Sequence, residues 1–185
     1  MDLLSILLLA VALALDTFAI SICSSLVAPR ARARPALKMA SFFGGFQMLM
    51  PVLGWLAGLG LRDLITGFDH WVAFGLLAGV GGKMIWEALR ADSCEARPDP
   101  FRLGVLLVLA VATSIDAFAV GITFSLLTTS MFLPVLVIGA VTFALSFGGV
   151  MLGSRIGALL GDKVEVVGGV ILIGIGAKIL IEHLA

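Results

Sequence analysis

Long apolar runs alternate along this chain with short polar segments. The runs predict six helices, which cover Leu3 to Ala28, Met39 to Leu61, Trp71 to about Leu89, Leu103 to Leu127, Phe132 to about Leu160 and Val166 to Leu184. A helix needs roughly 20 apolar residues to cross a hydrocarbon core of about 30 Å, whereas membrane β-strands are short and alternate in polarity. We therefore predict an all-α integral membrane protein with six transmembrane helices.

The first apolar run returns one hundred residues later. Ala10 to Leu26 (AVALALDTFAISICSSL) matches Ala110 to Leu126 (AVATSIDAFAVGITFSL), and Asp16 and Asp116 occupy the same place in each. The third and sixth runs also match, so we predict a three-helix repeat over residues 1–90, a cytoplasmic linker over 91–100 and a second repeat over 101–185. Because three is odd, the second copy enters the membrane from the opposite face. Transporters with two such inverted repeats hold their substrate near the midplane between them.

Composition agrees with a membrane protein. With 61% apolar residues, 13% charged residues and a mean hydropathy of +1.17, the chain has too little polar surface to coat a soluble domain. The formal net charge is zero, which gives no indication of nucleic-acid binding. No pattern indicates a cofactor, and we expect the two cysteines, Cys23 and Cys94, to be reduced and structural.

The basic residues predict the orientation in the membrane. The loops after the first, third and fifth runs contain Arg30, Arg32, Arg34, Lys38, Arg90, Arg97, Arg102, Arg155 and Lys163. The opposite face has only Arg62 outside the runs, so the positive-inside rule places the basic face in the cytoplasm and both termini outside it. We interpret the loop from Pro29 to Lys38 as a signal for topology and for anionic lipid.

Two carboxylates at the middle of apolar runs are the strongest functional signal. A charged side chain at the bilayer centre costs roughly 2.5 to 3.5 kcal/mol on insertion scales, so such residues mark functional sites. Small neighbours leave room beside Asp16 and Asp116, and two carboxylates would neutralise one divalent cation. Hard cations such as Mn²⁺, Mg²⁺ and Ca²⁺ prefer oxygen ligands. The predicted metal ligands are Asp16, Asp116, Gln47, Ser146, Thr113 and Thr142.

Protons would compete with a metal for the same carboxylates, which predicts cation/proton antiport. Several alternatives stay open. Each aspartate could instead hydrogen-bond a neighbouring helix or cap a broken one. Gln47 and Ser146, its approximate counterpart in the second repeat, could serve only as interhelical hydrogen-bonding groups. The chain could also export another divalent cation or a small cationic solute, or act as a passive channel. An intramembrane aspartyl protease is disfavoured, because neither aspartate follows a Gly-x-Gly sequence.

Proline and glycine predict special features in the second and fifth helices. Pro51 should kink the second helix and leave a backbone carbonyl free. Gly54 and Gly58 follow it, and the fifth helix has a strip of Gly149, Gly153, Gly157 and Gly161. Small residues at every fourth position permit close helix contact. A homodimer through these glycine-rich faces is one expected assembly.

The chain resembles the MntP family of bacterial manganese efflux pumps. The segments that carry the resemblance are LDTFAISI, FFGGFQMLMPVLGW, DHWVAFGLLAGVGGKMIWEALR, ATSIDAFAVGI and VEVVGGVILIGIGAKILIEHL. The resemblance implies a six-helix exporter of Mn²⁺ in the inner membrane and not an enzyme. It also implies that Asp16 and Asp116, in the two DxFA motifs, are functional residues.

Overall fold

The part of the chain that the structure describes is almost entirely helical. The computed structural model describes residues 3–27, 33–65, 99–126 and 131–156, together with residues 71, 74–79, 82, 85–86, 170, 173–174, 177 and 181. Five helices are complete: α1 Leu3–Val27, α2 Ala33–Ile65, α3 Leu103–Thr113, α4 Ile115–Leu126 and α5 Phe132–Ile156. None of these described residues lies in a strand, which confirms the all-α prediction.

Four stretches are long and apolar enough to cross a membrane. They are Leu3–Ser25, Ala33–Gly60, Leu103–Ser125 and Phe132–Gly153. The chain is therefore a multi-pass membrane protein, in agreement with four of the six predicted spans. The predicted third and sixth spans and the linker lie mostly outside the described residues. Those of their residues that are described, within 71–86 and 170–181, are helical.

Helix α2 is longer at both ends than the sequence predicted. It begins at Ala33, so the second half of the predicted Pro29 to Lys38 loop is helical. Pro35 is tolerated there because the first N–H groups of a helix have no partner within it. At its other end α2 continues to Ile65, beyond Leu61, where the predicted second run ends.

The predicted fourth span is interrupted at Ser114. The residue has φ −105° and ψ 7°, and its N–H donates to the carbonyl of Val111, which is a tighter turn than an α-helix makes. The Thr113 and Ser114 hydroxyls both donate to carbonyls of the preceding turn, at 2.9 Å and 2.6 Å for the shorter bonds. Such bonds compete with the helical ladder and bend helices. The first copy has Leu13 and Ala14 here, and α1 is continuous.

Helix α5 packs closely along α1, and the two run in the same direction. A Cβ atom built on Gly149 would lie 2.9 Å from the Cβ of Ser21 and 3.1 Å from the carbonyl oxygen of Phe18. One turn later, a Cβ on Gly153 would lie 2.9 Å from the main chain of Ile22. Contacts that advance together along both helices require parallel directions. Glycine is needed because the main chains leave no room for a side chain.

Helix α2 makes the corresponding contact with α4. A Cβ atom on Gly54 would meet the main chain of Phe118, with its carbonyl carbon at 2.9 Å, and would lie 3.2 Å from the nitrogen of Ile122. A Cβ on Gly58 would lie 2.9 Å from the Cβ of Ser125. The contacts again advance toward higher residue numbers on both helices, so α2 and α4 are also parallel. Each of these α4 residues lies one hundred positions after an α1 residue that contacts α5.

Helices α2 and α5 contact each other reciprocally. A Cβ on Gly44 would lie 3.1 Å from the carbonyl oxygen of Gly139 and 3.1 Å from the Cβ of Phe143. A Cβ on Gly139 would lie 3.3 Å from the carbonyl oxygen of Gly44 and would meet the side chain of Met48. Gly44 thus contacts positions 139 and 143 of α5, and Gly139 contacts positions 44 and 48 of α2. Each helix makes the equivalent contacts with the other. The same numerical offset, 95, relates Gly54 to Gly149.

Two apolar clusters complete the packing. The first joins α1, α4, α5 and the described part of the predicted third span, and contains Leu9, Ala10, Ala12, Leu13, Leu77, Ala117, Val120, Phe124 and Ile138. The second joins α2, α3 and α5 through Ala36, Met39, Phe43, Leu106, Ala110 and Val150.

One expectation about cysteine is wrong for this structure. Cys23 is disulfide-bonded, whereas we had expected a reduced thiol. The chain has one other cysteine, Cys94, which lies outside the described residues.

Candidate metal site

Gln47 joins helices from both copies of the repeat. Its Nε2 atom donates to the carbonyl oxygen of Leu13 on α1, at 3.4 Å, and to that of Thr113 at the end of α3, at 3.3 Å. These two acceptors occupy equivalent positions in the repeat. Because both are carbonyl oxygens, the amide must present its nitrogen to them, and this orients Oε1 away from them. The Gln47 side chain thus stands where the two copies meet.

The two aspartates follow these carbonyls by three residues each. Asp16 is partly buried and Asp116 is 8% exposed. Side chains on a helix lean over the turn that precedes their own Cα atom. The carboxylates therefore lean toward the turns that Gln47 bridges, so the arrangement brings Asp16, Asp116 and Gln47 to one region of the protein.

Asp116 also has a local role. It lies in the first turn of α4, directly after the break at Ser114, and its Oδ1 accepts a hydrogen bond of 2.7 Å from the N–H of Ala117. This is the helix-capping alternative that the sequence left open. A carboxylate offers about four lone-pair positions, so this local hydrogen bond does not use all of them. The local bond fixes the carboxylate without excluding a second function.

Three of the predicted ligands contain buried oxygens with no hydrogen-bond partner. Within the described part of the chain, these are Oε1 of Gln47, Oγ1 of Thr142 and Oγ of Ser146. All three side chains are fully buried. A buried polar group that lacks a partner costs roughly 1 to 3 kcal/mol. Such groups are rare in native proteins and indicate a missing water, ion or ligand.

Most other buried hydroxyls among the described residues have a hydrogen-bond partner, so the lack of one is specific to Thr142 and Ser146. Eight Ser and Thr side chains donate to a carbonyl of their own helix: Thr17, Ser21, Ser24, Ser25, Thr113, Ser114, Thr123 and Ser125. That bond is available to any Ser or Thr inside a helix. Thr142 and Ser146 lie inside α5 and do not make it. Their oxygens are one helical turn apart on one face, where both could bind the same ligand.

The helix register brings these hydroxyls to the level of Asp16. Gly149 contacts α1 at residues 18 and 21, and Ser146 precedes it by three residues. Because α1 and α5 are parallel, Ser146 faces α1 at the level of residues 15–18, which includes Asp16. Thr142 lies one turn earlier, at the level of Leu13.

The contacts correct one equivalence that the sequence suggested. We had paired Gln47 with Ser146, but the offset of 95 that relates Gly44 to Gly139 and Gly54 to Gly149 pairs Gln47 with Thr142. Ser146 then corresponds to Pro51. The sequence could not reveal this, because the second and fifth helices share few residue types and the alignment of the first and fourth helices suggests an offset of 100.

Thr113 enters the site differently from the prediction. Its hydroxyl donates to the carbonyls of Leu109 and Ala110, and its own carbonyl accepts the amide of Gln47. Sequence reasoning missed the carbonyls of Leu13 and Thr113 altogether. No side-chain pattern could have identified them, since every residue has a carbonyl.

The atoms of the candidate site that could bind a cation are oxygens. Among the described residues no group of three or more His, Cys, Asp and Glu side chains could hold a metal ion. Two carboxylates with neutral amide and hydroxyl oxygens are ligands of hard cations, whereas zinc and copper sites favour nitrogen and sulfur. The donor set fits a hard divalent cation as a transported substrate.

Comparison with known proteins identifies the family. Residues 30–180 match the family model for MntP, described as "Putative manganese efflux pump". The chain is 51% identical over 177 residues to the MntP protein of Methanosarcina barkeri, covering 96% of this chain and 95% of the relative. It is 49% identical over 184 residues to that of Crocosphaera subtropica, covering 100% and 98%. No solved structure matches. The chain therefore belongs to the MntP family of manganese efflux pumps.

Proposed function

We propose that this chain exports Mn²⁺ from the cytoplasm by exchanging it for protons at one midplane site. The observation that carries the proposal is the set of buried oxygens without partners on Gln47, Thr142 and Ser146. The α5 members of this set lie on the helix that packs against α1 near Asp16. Asp16 and Asp116 supply the charge that balances the ion. Thr113 completes the set through its main-chain carbonyl, which accepts a hydrogen bond from the Gln47 side chain. The chain is then a transporter and not an enzyme, and the ion is its substrate.

The proposed architecture is two inverted three-helix repeats. The parallel pairs α1 with α5 and α2 with α4 support it, because helices one and five share a direction only if the second repeat is inverted. The reciprocal contacts of Gly44 and Gly139 support a pseudo-two-fold axis through the crossing of α2 and α5. An inverted repeat provides two related conformations, one open to each side.

Protons drive the cycle in this mechanism. With the site open to the cytoplasm, Mn²⁺ exchanges part of its water shell for protein oxygens, and both carboxylates are ionised. After the site opens outward, protons replace the metal on Asp16 and Asp116, and the neutralised site returns. A site that holds two uncompensated negative charges is disfavoured inside the membrane. The requirement for either metal or protons couples the two fluxes.

Uphill flux distinguishes this antiporter from a passive channel. Purified protein in liposomes should accumulate Mn²⁺ against its gradient when a proton gradient of the correct sign is imposed, and should stop when an ionophore dissipates that gradient. Flux that only equilibrates Mn²⁺ under both conditions would favour the channel. Equal or faster flux of Mg²⁺ or Ca²⁺ in the same assay would favour an exporter of another hard cation.

Thr142→Val and Ser146→Ala should each weaken Mn²⁺ binding without lowering the stability of the fold. Each change removes an oxygen that has no protein partner, so the melting temperature in detergent should stay the same or rise, while the affinity for Mn²⁺ falls roughly tenfold or more. Titration calorimetry and thermal melts would measure the two effects. Thr123→Val is the matched control, because its hydroxyl already donates to the carbonyl of Ala119. An unchanged Mn²⁺ affinity in both test variants would remove α5 from the ligand set.

Orientation and assembly complete the proposal. Both termini lie outside the cytoplasm of a bacterial cell in this proposal, with the linker over 91–100 inside it, and the distribution of basic loops supports this orientation. Lys38 supports a common location for the first loop and the linker, since its Nζ donates to the carbonyl of Phe101 at 2.9 Å.

A homodimer remains a prediction. Gly149 and Gly153 pack against α1 within the chain, so a second copy cannot use this part of the predicted strip. Gly157 and Gly161 lie outside the described residues.

A further inference from the structure

Pro51 is the proline inside α2 that the proposed mechanism has not used. The helix continues without interruption from Ala33 to Ile65 around it. In an α-helix the N–H of each residue donates to the carbonyl four residues earlier. Proline has no N–H, so the main-chain carbonyl of Gln47 has no helical donor. This carbonyl belongs to the residue whose side chain joins the two repeats.

The location makes a carbonyl without its helical donor significant. Gln47 is fully buried, and its Oε1 already has no partner among the described residues. In the membrane interior no bulk water is present to satisfy a free carbonyl, and irregular backbone is tolerated there where it lines a cavity or is covered by protein. Gly121 lets the main chain of Pro51 approach α4 closely, with a built Cβ only 2.8 Å from the Pro51 Cα. The proline is therefore held firmly in the structure.

The second repeat supplies an independent indication. Gln47 corresponds to Thr142 and Pro51 to Ser146 under the offset of 95. In the second repeat both positions present an unpartnered hydroxyl oxygen. In the first repeat, position 47 presents Oε1, and position 51 has no side-chain oxygen but releases the carbonyl of Gln47. Each repeat thus contributes two oxygens from equivalent positions by different chemistry.

The other two prolines in the described helices have no such effect. Pro35 is the third residue of α2, and Pro134 is the third residue of α5. N–H groups in the first turn of a helix have no partner within it, so these prolines release no carbonyl. Pro51 alone among the three removes a helical hydrogen bond.

We infer that the main-chain carbonyl of Gln47 is a ligand of the transported cation, and that Pro51 is the positioning residue that makes it available. The inference rests on the proposed function and adds a ligand to that site. A carbonyl oxygen is a neutral, hard ligand, suited to Mn²⁺, Mg²⁺ and Ca²⁺. Gln47 then contributes two oxygens, one from its side chain and one from its main chain.

A spectroscopic test is direct because Gln47 is the only glutamine in the chain. Protein made by cell-free synthesis with [1-¹³C]glutamine has one labelled main-chain carbonyl, and protein made with [5-¹³C]glutamine has one labelled side-chain carbonyl. Mn²⁺ is paramagnetic, so pulsed electron-nuclear double resonance on the Mn²⁺-loaded protein in nanodiscs detects ¹³C in its ligands. We expect a ligand-strength coupling from each label. A coupling from the side-chain label alone would overturn the inference and leave the proposed function intact.

Variants of two prolines provide the second arm. Pro51→Ala restores the N–H that can bond the Gln47 carbonyl. It should abolish the coupling from the main-chain label, keep that from the side-chain label, and raise the Kd for Mn²⁺ roughly ten- to hundredfold. Pro134→Ala is the matched control and should change neither coupling nor Kd. A wild-type Kd in Pro51→Ala would contradict the inference, whereas absence of Mn²⁺ binding by the wild-type protein would contradict the proposed function itself.

Discussion

Replacement of Asp16 or Asp116 by asparagine is expected to reduce Mn²⁺ flux in proteoliposomes to the level of empty vesicles. Asparagine keeps the size and one carbonyl oxygen of the side chain but removes its charge and its proton-binding site. One remaining carboxylate cannot neutralise a divalent ion in a region where an isolated charge costs several kcal/mol. Both variants should still insert and fold, because asparagine is less costly in the membrane than aspartate. Flux with an imposed proton gradient, with size-exclusion profiles for folding, would measure the two effects.

The comparison of the two variants is informative in itself. Asp116 accepts a hydrogen bond from the N–H of Ala117, which an asparagine oxygen can also accept. If Asp116 only capped α4, Asp116→Asn would retain most of its flux, and the carboxylate would return to a structural role. Asp99→Asn is the control. Asp99 is exposed, outside the predicted spans, and accepts a similar bond from the N–H of Phe101 at 3.1 Å.

Gly54→Ala should cause a large loss of folded protein. The new Cβ would meet the main chain of Phe118, which cannot move as a flexible side chain can. Overpacking typically costs 1 to 3 kcal/mol, and a collision with backbone lies at or above the upper end of that range. Helices α2 and α4 would have to separate. Melting temperature and monodisperse yield in detergent would measure the effect.

Gly60→Ala is the matched control on the same helix. Gly60 is exposed, and a Cβ built on it meets nothing within 4 Å. Alanine favours a helix over glycine by roughly 1 kcal/mol, so this variant should be as stable as the wild type or slightly more stable. If Gly54→Ala melted like Gly60→Ala, the close approach of α2 and α4 would be incorrect. The parallel register that supports the inverted repeat would then lose one of its two observations.

The two repeats are equivalent in position but not in chemistry. Thr113 and Ser114 interrupt the fourth span, whereas Leu13 and Ala14 at the equivalent positions continue the first span. Gln47 in the first repeat corresponds to Thr142 in the second. An amide can donate to two carbonyls at once, whereas a hydroxyl has one proton to donate. If the repeats exchange conformations during transport, the outward and inward states are therefore held by different hydrogen bonds. The transporter without substrate would then favour one of these two states.

The sequence by itself determined the membrane character and four of the six predicted spans, and it predicted the two carboxylates as metal ligands. These features depend on local hydrophobicity and on the high cost of charge in lipid, which act on each segment wherever its neighbours lie. The same local physics predicted that Pro51 would free a carbonyl. The residue types at 47, 142 and 146 also marked them as polar groups at depth.

Only the tertiary structure decided which of these groups lack partners and how they correspond. Eleven buried hydroxyls among the described residues look alike in sequence, yet eight of them donate to a carbonyl of the same helix, whereas those of Thr142 and Ser146 have no partner. That difference depends on what neighbouring helices place beside each oxygen. Likewise, Gly149 and Gly153 suited either a second copy or this chain, and packing against α1 occupies them. Partner choice is a property of contacts distant in sequence, which no local pattern contains.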